Sequence, residues 1–288
     1  MRKLVVICAV ALLANPCPAG VITVDDDGPA DYNNIQAAIN AAGNGDTVVV
    51  LPGIYTGPGN RDIDFLGKAI TVRSTDPNNP EVVAATIVDC NASYSDRHRG
   101  FYFHNQEGPD SVLNGLTVTR GFTTNSGGGI KCYRSSPTLL NCVLSQNWGI
   151  MWGGGMWNGE SSPTLANCTF RANVGGGGGV YNTQSTFRAD NCSFFDNADS
   201  GMRNDQSNVS LRNCIFRSNA FAMFYGCGGG ILSGTSELNL VNCVFADNWA
   251  GRYGGALYMY GCDANIVNCT FIGNQAPQGS AIECLAGC

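Results

Sequence analysis

A short motif, Asn-Cys-x-Phe-x-x-Asn, recurs through this 288-residue chain and constrains its fold more than any other feature. Five copies match in full, and an earlier copy has Leu144 in place of Phe. The cysteines of successive copies are 22 to 29 residues apart, at Cys142, Cys168, Cys192, Cys214, Cys243 and Cys269. Repetition at such a period is typical of solenoids, in which each repeat is one structural unit.

A second motif, Gly-Gly-Gly followed by an apolar residue, alternates with the first. It begins at Gly127, Gly153, Gly177 and Gly228, returns as Gly-Gly-Ala-Leu at Gly254, and has degenerate copies at 200–202 and 279–282. The high Gly and Asn content and the absence of a 3.6-residue period exclude a helical solenoid.

Side-chain parity shows what one repeat contains. Residues i and i+2 of a strand share a face, so Cys168 and Phe170 point the same way. The step of three from Leu240 to Cys243 breaks the alternation and predicts a bend between two short strands that face one interior. With the glycine motif as a third strand, each repeat of about 25 residues is one coil of a parallel β-helix.

Stacking of the coils, about 4.8 Å apart, predicts ladders of equivalent residues. We expect an interior aromatic stack and a buried ladder of the six cysteines. We also expect a ladder of the Asn residues that close each motif, with left-handed φ angles, and an inward column of Asn158, Asn182 and Asn204. The aromatic stack is Phe170, Phe194, Phe216, Phe245 and Phe271, and the closing Asn residues are Asn147, Asn173, Asn197, Asn219, Asn248 and Asn274.

The segment before the repeats reads as the entrance to the solenoid. Asp31 is predicted to N-cap a helix over about residues 32–42, which Gly43 is predicted to end. The apolar stripe of this helix is Ile35, Ala38, Ile39 and Ala42. Strands are predicted at 47–51, 69–72 and 86–88. Such a helix would cover the open edge of the first coil. We divide the chain into a signal peptide (1–19), the cap with the first coils (20–113) and the repeats (114–288), whose last coil is incomplete.

Composition narrows the class of protein. The net charge of −6 and pI near 4.8 argue against a nucleic-acid binder, and the two histidines, His98 and His104, nearly exclude a multi-His metal site. Arg2, Lys3 and the apolar run 4–13 resemble a signal peptide cleaved after Ala19. Together with 14 cysteines, this predicts a secreted or cell-surface protein whose mature chain has no transmembrane segment.

Two family resemblances follow from these motifs. The segments 35–39 and 45–55 (Gly-Asp-Thr-Val-Val-Val-Leu-Pro-Gly-Ile-Tyr) look like the N-terminal signature of pectin-lyase-like right-handed β-helix proteins. The Gly-Gly-Ala-apolar and Phe-x-x-Asn units resemble the repeats of chlamydial polymorphic outer membrane proteins. Both resemblances imply an all-β, right-handed parallel β-helix over about residues 21–288. They say little about function, because this fold hosts lyases, hydrolases, esterases and adhesins.

The sequence offers few candidate catalytic groups. The polygalacturonase signatures Asn-Thr-Asp and Gly-His-Gly are absent. Asp196 and Asp247 occupy equivalent positions two coils apart, about 10 Å, with Arg217 between them, which is close to the carboxylate spacing of inverting glycosidases. The alternative is that Asp before Asn favours the bend. Asp25, Asp26 and Asp27 could hold Ca²⁺ loosely, but an acidic turn is the preferred interpretation; no other cofactor is expected.

An outward row of aromatic and cationic side chains follows the glycine motif. It includes Trp157, Tyr181, Arg203 and Tyr258. An exposed, rigid strip of this kind suits stacking on sugar rings or anchoring a protein partner, whereas ordinary strand propensity is the alternative explanation. The leading hypothesis is therefore a non-catalytic adhesion or binding module for a polysaccharide or a cell-surface protein. The competing hypothesis is a lyase or glycoside hydrolase that acts on acidic polysaccharide.

The cysteines and the C-terminus give the last predictions. No Cys-x-x-Cys occurs, so zinc is not expected, and the ladder cysteines are interpreted as small buried hydrophobes. Cys262, Cys284 and Cys288 lie off the ladder and are the disulfide candidates. Because no cap follows the final repeat, the open end is predicted to belong to a longer repeat protein or to support end-to-end self-association.

Overall fold

Each repeat folds as one coil of three short parallel strands, which confirms the parallel β-helix. The computed structural model describes residues 19–221 and 226–285. Residues 1–18 of the predicted signal peptide and Cys288 therefore lie outside the described residues. Equivalent strands of about ten coils pair in register to form three long parallel sheets, which we call A, B and C, around one continuous core.

Sheet A has ten strands: β1 (Val21–Val24), β2 (Thr47–Val50), β4 (Thr71–Ser74), β7 (Val112–Asn114), β11 (Thr138–Leu140), β15 (Thr164–Ala166), β19 (Thr186–Asp190), β22 (Asn208–Arg212), β26 (Glu237–Val241) and β30 (Asp263–Val267). Sheet B has nine: β3 (Gly53–Tyr55), β5 (Thr86–Asp89), β8 (Thr117–Thr119), β12 (Val143–Ser145), β16 (Thr169–Arg171), β20 (Ser193–Phe195), β23 (Ile215–Arg217), β27 (Val244–Ala246) and β31 (Thr270–Ile272).

Sheet C has eight strands: β6 (Phe101–Phe103), β10 (Ile130–Tyr133), β14 (Met156–Gly159), β18 (Val180–Thr183), β21 (Met202–Asp205), β25 (Ile231–Gly234), β29 (Leu257–Tyr260) and β32 (Ile282–Leu285). Between sheets B and C the connecting segments form two small parallel sheets, one of β9 (Phe122–Thr123), β13 (Trp148–Trp152) and β17 (Val174–Gly176), the other of β24 (Ala220–Phe221) and β28 (Trp249–Ala250). The predicted strands at 47–51, 69–72 and 86–88 correspond to β2, β4 and β5.

The predicted aromatic stack fills the interior behind sheet B. The rings of Phe170, Phe194, Phe216, Phe245 and Phe271 stack nearly parallel, with centroids 4.5 to 5.0 Å apart. The cysteine ladder is also confirmed. Five of its members are fully buried, and each thiol lies near the carbonyl oxygen two residues before it, as Cys142 Sγ does 3.1 Å from Leu140 O.

The closing Asn residues form the predicted buried ladder, but their backbone conformation differs from the prediction. Each Asn side chain after Asn147 accepts from the backbone N–H of the preceding Asn in the ladder, as Asn197 Oδ1 does from Asn173 N at 3.1 Å; Asn147 Oδ1 accepts from Gly121 N instead. The left-handed φ falls one residue earlier, for example 55° at Asp196 and 54° at Asp247. The preceding residue makes the turn, which leaves the Asn side chain free to point inward.

The inward column behind sheet C is confirmed as well. Asn158 Nδ2 donates to Asn182 Oδ1 at 2.8 Å, Asn182 Nδ2 to Asn204 Oδ1 at 2.9 Å, and Asn204 Nδ2 to Ser233 Oγ at 2.9 Å. Nearly all side-chain polar atoms of this column therefore have hydrogen-bond partners within the apolar interior, as buried polar groups require.

The N-terminal helix is shorter than predicted. α1 spans Ile35–Ala41, and Asn34 rather than Asp31 is its N-cap, accepting from Ala37 N at 2.9 Å. Asp31 instead accepts from both the backbone N–H and the hydroxyl of Thr23 at 2.8 Å, which fixes the chain beside β1. The predicted apolar stripe packs into the core at the first coil.

A second helix, α2 (Pro80–Ala85), was not predicted. Its N-cap is Asn79, and Pro80 occupies the first turn, a combination that the sequence does contain. No helix among the described residues is both long and apolar enough to span a bilayer.

Lys68 fixes the C-terminal end of α1, a contact that the sequence did not reveal. Its ammonium donates to the carbonyl oxygens of Ile39, Asn40 and Ala42 at 2.7 to 2.9 Å. Because a helix C-terminus leaves carbonyls without intrahelical donors, we expect Lys68→Met to lower the free energy of unfolding by about 1–3 kcal/mol in chemical denaturation. The control is Lys131→Met, which removes a lysine that donates to no carbonyl among the residues described by the structure. Equal stability of the two variants would contradict this account.

Candidate functional site

The outer face of sheet C carries an unbroken row of side chains from one strand to the next. Strand alternation points Met156 and Asn158 inward and Trp157 outward, and the in-register pairing aligns Trp157 with Tyr181 and Arg203. The full row is Tyr102, Lys131, Trp157, Tyr181, Arg203, Leu232, Tyr258 and Glu283. We call this surface the sheet C face.

The predicted strip of four residues points outward, but part of it is covered. Trp152, from β13, stacks on the Tyr181 ring with centroids 4.9 Å apart and leaves Tyr181 only 7% exposed. The Arg203 guanidinium lies 4.9 Å from the centroid of the same Trp152 ring. The expectation that Tyr181 is exposed is therefore wrong, because a connecting segment folds back over it.

Asp205 joins the two predicted polar residues of the row. Its Oδ2 accepts from Tyr181 Oη at 2.7 Å and from Arg203 Nη2 and Nε at 3.1 and 3.2 Å. Burial, and then the hydrogen bond to Asp205, raise the pKa of Tyr181 above its usual range, so the phenol stays protonated and acts as a donor. Asp205 was missed, although it lies two residues after Arg203 on the same outward face.

Two aromatic rings lie flat on the sheet because the residues below them are glycine. The Trp157 ring covers Gly159, and the Tyr260 ring covers Gly234, so a Cβ at either glycine would clash with the ring. Trp157 Nε1 and Asp205 Oδ1 are buried with no hydrogen-bond partner among the described residues. The rings are thus held as rigid platforms across the sheet.

The N-terminal end of the face is cationic. Lys131 Nζ lies 5.3 Å from the Tyr102 ring centroid and 5.1 Å from that of Trp157, and the Arg99 guanidinium lies 5.0 Å from Tyr102. Burial, and then the neighbouring Arg99, lower the pKa of Lys131. In the described part of the chain, neither cation has a carboxylate within ion-pair distance.

Tyr258 lies further along the row, separated from Arg203 by Leu232. Its ring packs against Tyr253 and Tyr260, with centroids 5.8 and 6.1 Å apart. The aromatic surface therefore continues beyond the Arg203–Asp205 pair, and the four predicted residues do share one face.

A cluster of one histidine, two aspartates and one arginine, which sequence reasoning missed, lies beside Arg99. His98 Nδ1 contacts Asp62, its Nε2 lies 2.9 Å from Asp96 Oδ1, and Arg61 pairs with Asp96 at 3.0 Å. The hydrogen bonds from Arg61 and then His98 lower the pKa of Asp96. Because Asp62 belongs to the preceding coil, these contacts tie the loop that contains Asp96 and His98 to that coil.

The candidate carboxylate pair lies elsewhere, at the turn after sheet B. Asp196, Arg217 and Asp247 are all exposed, and no side-chain hydrogen bond or ion pair links them among the described residues. Both aspartates have left-handed φ angles, as the bend interpretation expects. A catalytic role for these three residues stays a prediction.

The acidic cluster is a turn at the N-terminal end of the solenoid. The carboxylates of Asp25, Asp26 and Asp27 lie within 4.8 Å of one another. Asp26 Oδ2 also accepts from Ile54 N at 3.2 Å, so the cluster has a structural contact of its own. Calcium binding there stays a prediction, as does a disulfide among Cys262, Cys284 and Cys288.

The comparisons with known proteins agree with this architecture. The family described as "Right handed beta helix region" matches residues 69–245 and 153–271, which is well over half of the chain, so the protein belongs to that family. No curated protein matches the sequence. The resemblance to chlamydial outer membrane repeats stays a prediction.

Two solved structures share the fold at a TM-score of 0.51. A pectate lyase, Pel9A, is 16% identical, with 91% of this chain and 81% of that chain covered. A pectin methylesterase from carrot is 10% identical, with 92% and 88% covered. At these identities the likeness shows the shared fold alone.

Proposed function

We propose that this protein is a secreted polysaccharide-binding β-helix that holds an acidic sugar chain along the sheet C face without cleaving it. The observation that carries the proposal is the pair of partly desolvated cations, Arg99 and Lys131, which lie 5.0 and 5.3 Å from the centroid of the Tyr102 ring. Arg99 Nη1 donates to Ser126 O, but neither cation has a carboxylate partner among the described residues. Cations of this kind beside aromatic rings suit a ligand that offers both carboxylates and sugar-ring faces.

The geometry of the row supports a chain-like ligand. Trp157 lies on β14, Trp152 covers Tyr181 on the next strand, β18, and Tyr260 covers Gly234 on β25, two strands further on; neighbouring strands are about 4.8 Å apart. A polymer that runs along the axis can therefore contact several coils at once. Two solved structures that share this fold are named as a pectate lyase and a pectin methylesterase, and these names specify pectate and pectin.

Cleavage is the competing function, and the Tyr181–Asp205–Arg203 group is the observation in its favour. A proton donor and a guanidinium side by side are groups that acid–base chemistry uses. Tyr181, however, is covered by Trp152, and its hydroxyl already donates to Asp205. Binding therefore accounts for the arrangement better than catalysis does.

Titration calorimetry with polygalacturonate should detect binding that Lys131→Met weakens about tenfold, the equivalent of about 1.4 kcal/mol from one charge-assisted hydrogen bond. Affinity should also fall as salt is added. Arg217→Met is the matched control, because it removes an exposed cation beside sheet B and should leave binding unchanged.

Product analysis separates the two functions. Prolonged incubation with polygalacturonate and alginate should release neither unsaturated nor reducing ends. Cleavage that Tyr181→Phe abolishes would establish the lyase alternative, and binding that is insensitive to Lys131→Met would remove the sheet C face as the site.

A further inference from the structure

A broad groove lies on the outer face of sheet A, on a different side of the solenoid from the sheet C face. It has a volume of about 760 Å³ and crosses β19, β22, β26 and β30. Three other surface depressions of the described residues have volumes of about 430, 440 and 390 Å³. We call it the sheet A groove.

Two columns of polar and charged side chains line the sheet A groove, with the one cation of these columns, Arg188, on β19 at the opposite end from Asp263 on β30. One column runs Arg188, Ser210, Asn239, Asn265, and the other runs Thr186, Asn208, Glu237, Asp263. Asn265 Nδ2 donates to Asn239 Oδ1 at 2.9 Å, whereas Asn208 makes no side-chain hydrogen bond among the described residues. Amides and hydroxyls in this arrangement can donate to and accept from the hydroxyls of a bound chain.

The carboxylates of Glu237 and Asp263 define the charge of one end of the groove. The two residues are directly opposite each other in register on β26 and β30, and both are exposed. Neither forms an ion pair in the described part of the chain. Like charges opposite each other on neighbouring strands disfavour the folded state, so this pair leaves an uncompensated negative site within the groove.

We infer that the sheet A groove binds an amine-bearing saccharide chain, with an ammonium group between Glu237 and Asp263 and the sugar hydroxyls on the Asn and Ser side chains. Charge-assisted hydrogen bonds from an ammonium to carboxylates are about twice as strong as neutral ones. The net charge of −6 also favours the approach of a cationic chain over an anionic one. This inference is independent of the sheet C face, whose N-terminal end is cationic.

The experiment compares a chitosan hexasaccharide with its fully N-acetylated counterpart by titration calorimetry on the full chain. The free amines should bind, and the N-acetylated chain should bind at least about tenfold more weakly, because acetylation removes the positive charge. In the double variant Glu237→Gln with Asp263→Asn, affinity for chitosan should fall about tenfold or more. Both substitutions are on exposed side chains and remove a like-charge repulsion, so the thermal unfolding curve should not move to lower temperature.

Asp247→Asn is the matched control, because it removes an exposed carboxylate at a turn beside sheet B and should leave chitosan binding intact. Lys131→Met should also leave it intact, which separates this site from the proposed function. The inference would be overturned by equal affinity for the two hexasaccharides, by unchanged affinity in the double variant, or by no binding of chitosan at millimolar concentration. Equal loss in Asp247→Asn would likewise overturn it, since it would reveal only general charge attraction.

Discussion

Replacing Asn197 by alanine should lower the free energy of unfolding by about 3–5 kcal/mol. Each buried polar group that is left without a hydrogen-bond partner costs about 1–3 kcal/mol, and this substitution leaves several such groups. Asn197 Oδ1 accepts from the backbone N–H and the side-chain amide of Asn173, both at 3.1 Å. Its Nδ2 donates to Phe170 O and Asn219 Oδ1, both at 2.9 Å. Alanine removes all four contacts within a site that water does not reach.

Chemical denaturation followed by circular dichroism measures this loss, and hydrogen exchange at the Asn173 amide reports on it locally. The control is Asn208→Ala, an exposed asparagine on β22, which should change stability by less than about 0.5 kcal/mol. Similar stabilities of the two variants would mean that the Asn ladder does not hold the coils together.

Replacing Phe194 by alanine should cost about 3–5 kcal/mol, the usual range for a large aromatic removed from a packed core. Phe194 is fully buried, and its ring stacks between those of Phe170 and Phe216 at 5.0 and 4.5 Å. The in-register strands on both sides of β20 prevent the backbone from closing the cavity, so most of the loss should persist. Chemical denaturation and thermal unfolding both measure it.

Phe194→Leu is the informative control, because Leu144 occupies the equivalent position of an earlier coil. Leucine fills much of the ring volume, so the loss should be less than half that of alanine. If alanine and leucine were equally destabilising, the geometry of the stacked rings rather than their volume would stabilise this part of the core.

The sequence pattern predicted which residues lie on the sheet C face, but not which of them are covered. Parity in the glycine motif correctly placed Trp157, Tyr181, Arg203 and Tyr258 on one outward face, because the β-strand period of two leaves no other choice. The pattern could not show that Trp152 folds over Tyr181. That contact depends on the path of a connecting segment whose length differs from coil to coil.

The loops before the repeats show the same limit. His98 contacts Asp62, and Lys68 donates to three carbonyls at the C-terminal end of α1, across 26 to 36 positions of sequence. No periodicity relates these residues. The N-cap of α1 was misplaced for a related reason, since Asp31 and Asn34 are both good N-cap residues and only the pairing of Asp31 with Thr23 decided between them.

The sequence alone determined the coil, its three strands and its interior ladders. In a parallel in-register solenoid, each residue's neighbour is the equivalent residue of the next coil, so a repeat in sequence becomes a contact in space. The tertiary structure decided which connecting segments cover the outer faces. It also decided that Asp205 accepts hydrogen bonds from Tyr181 and Arg203, and that the polar columns of sheet A line a groove. Those features arise between different positions of different coils, and their geometry depends on loop length and sheet curvature, which no repeat unit encodes.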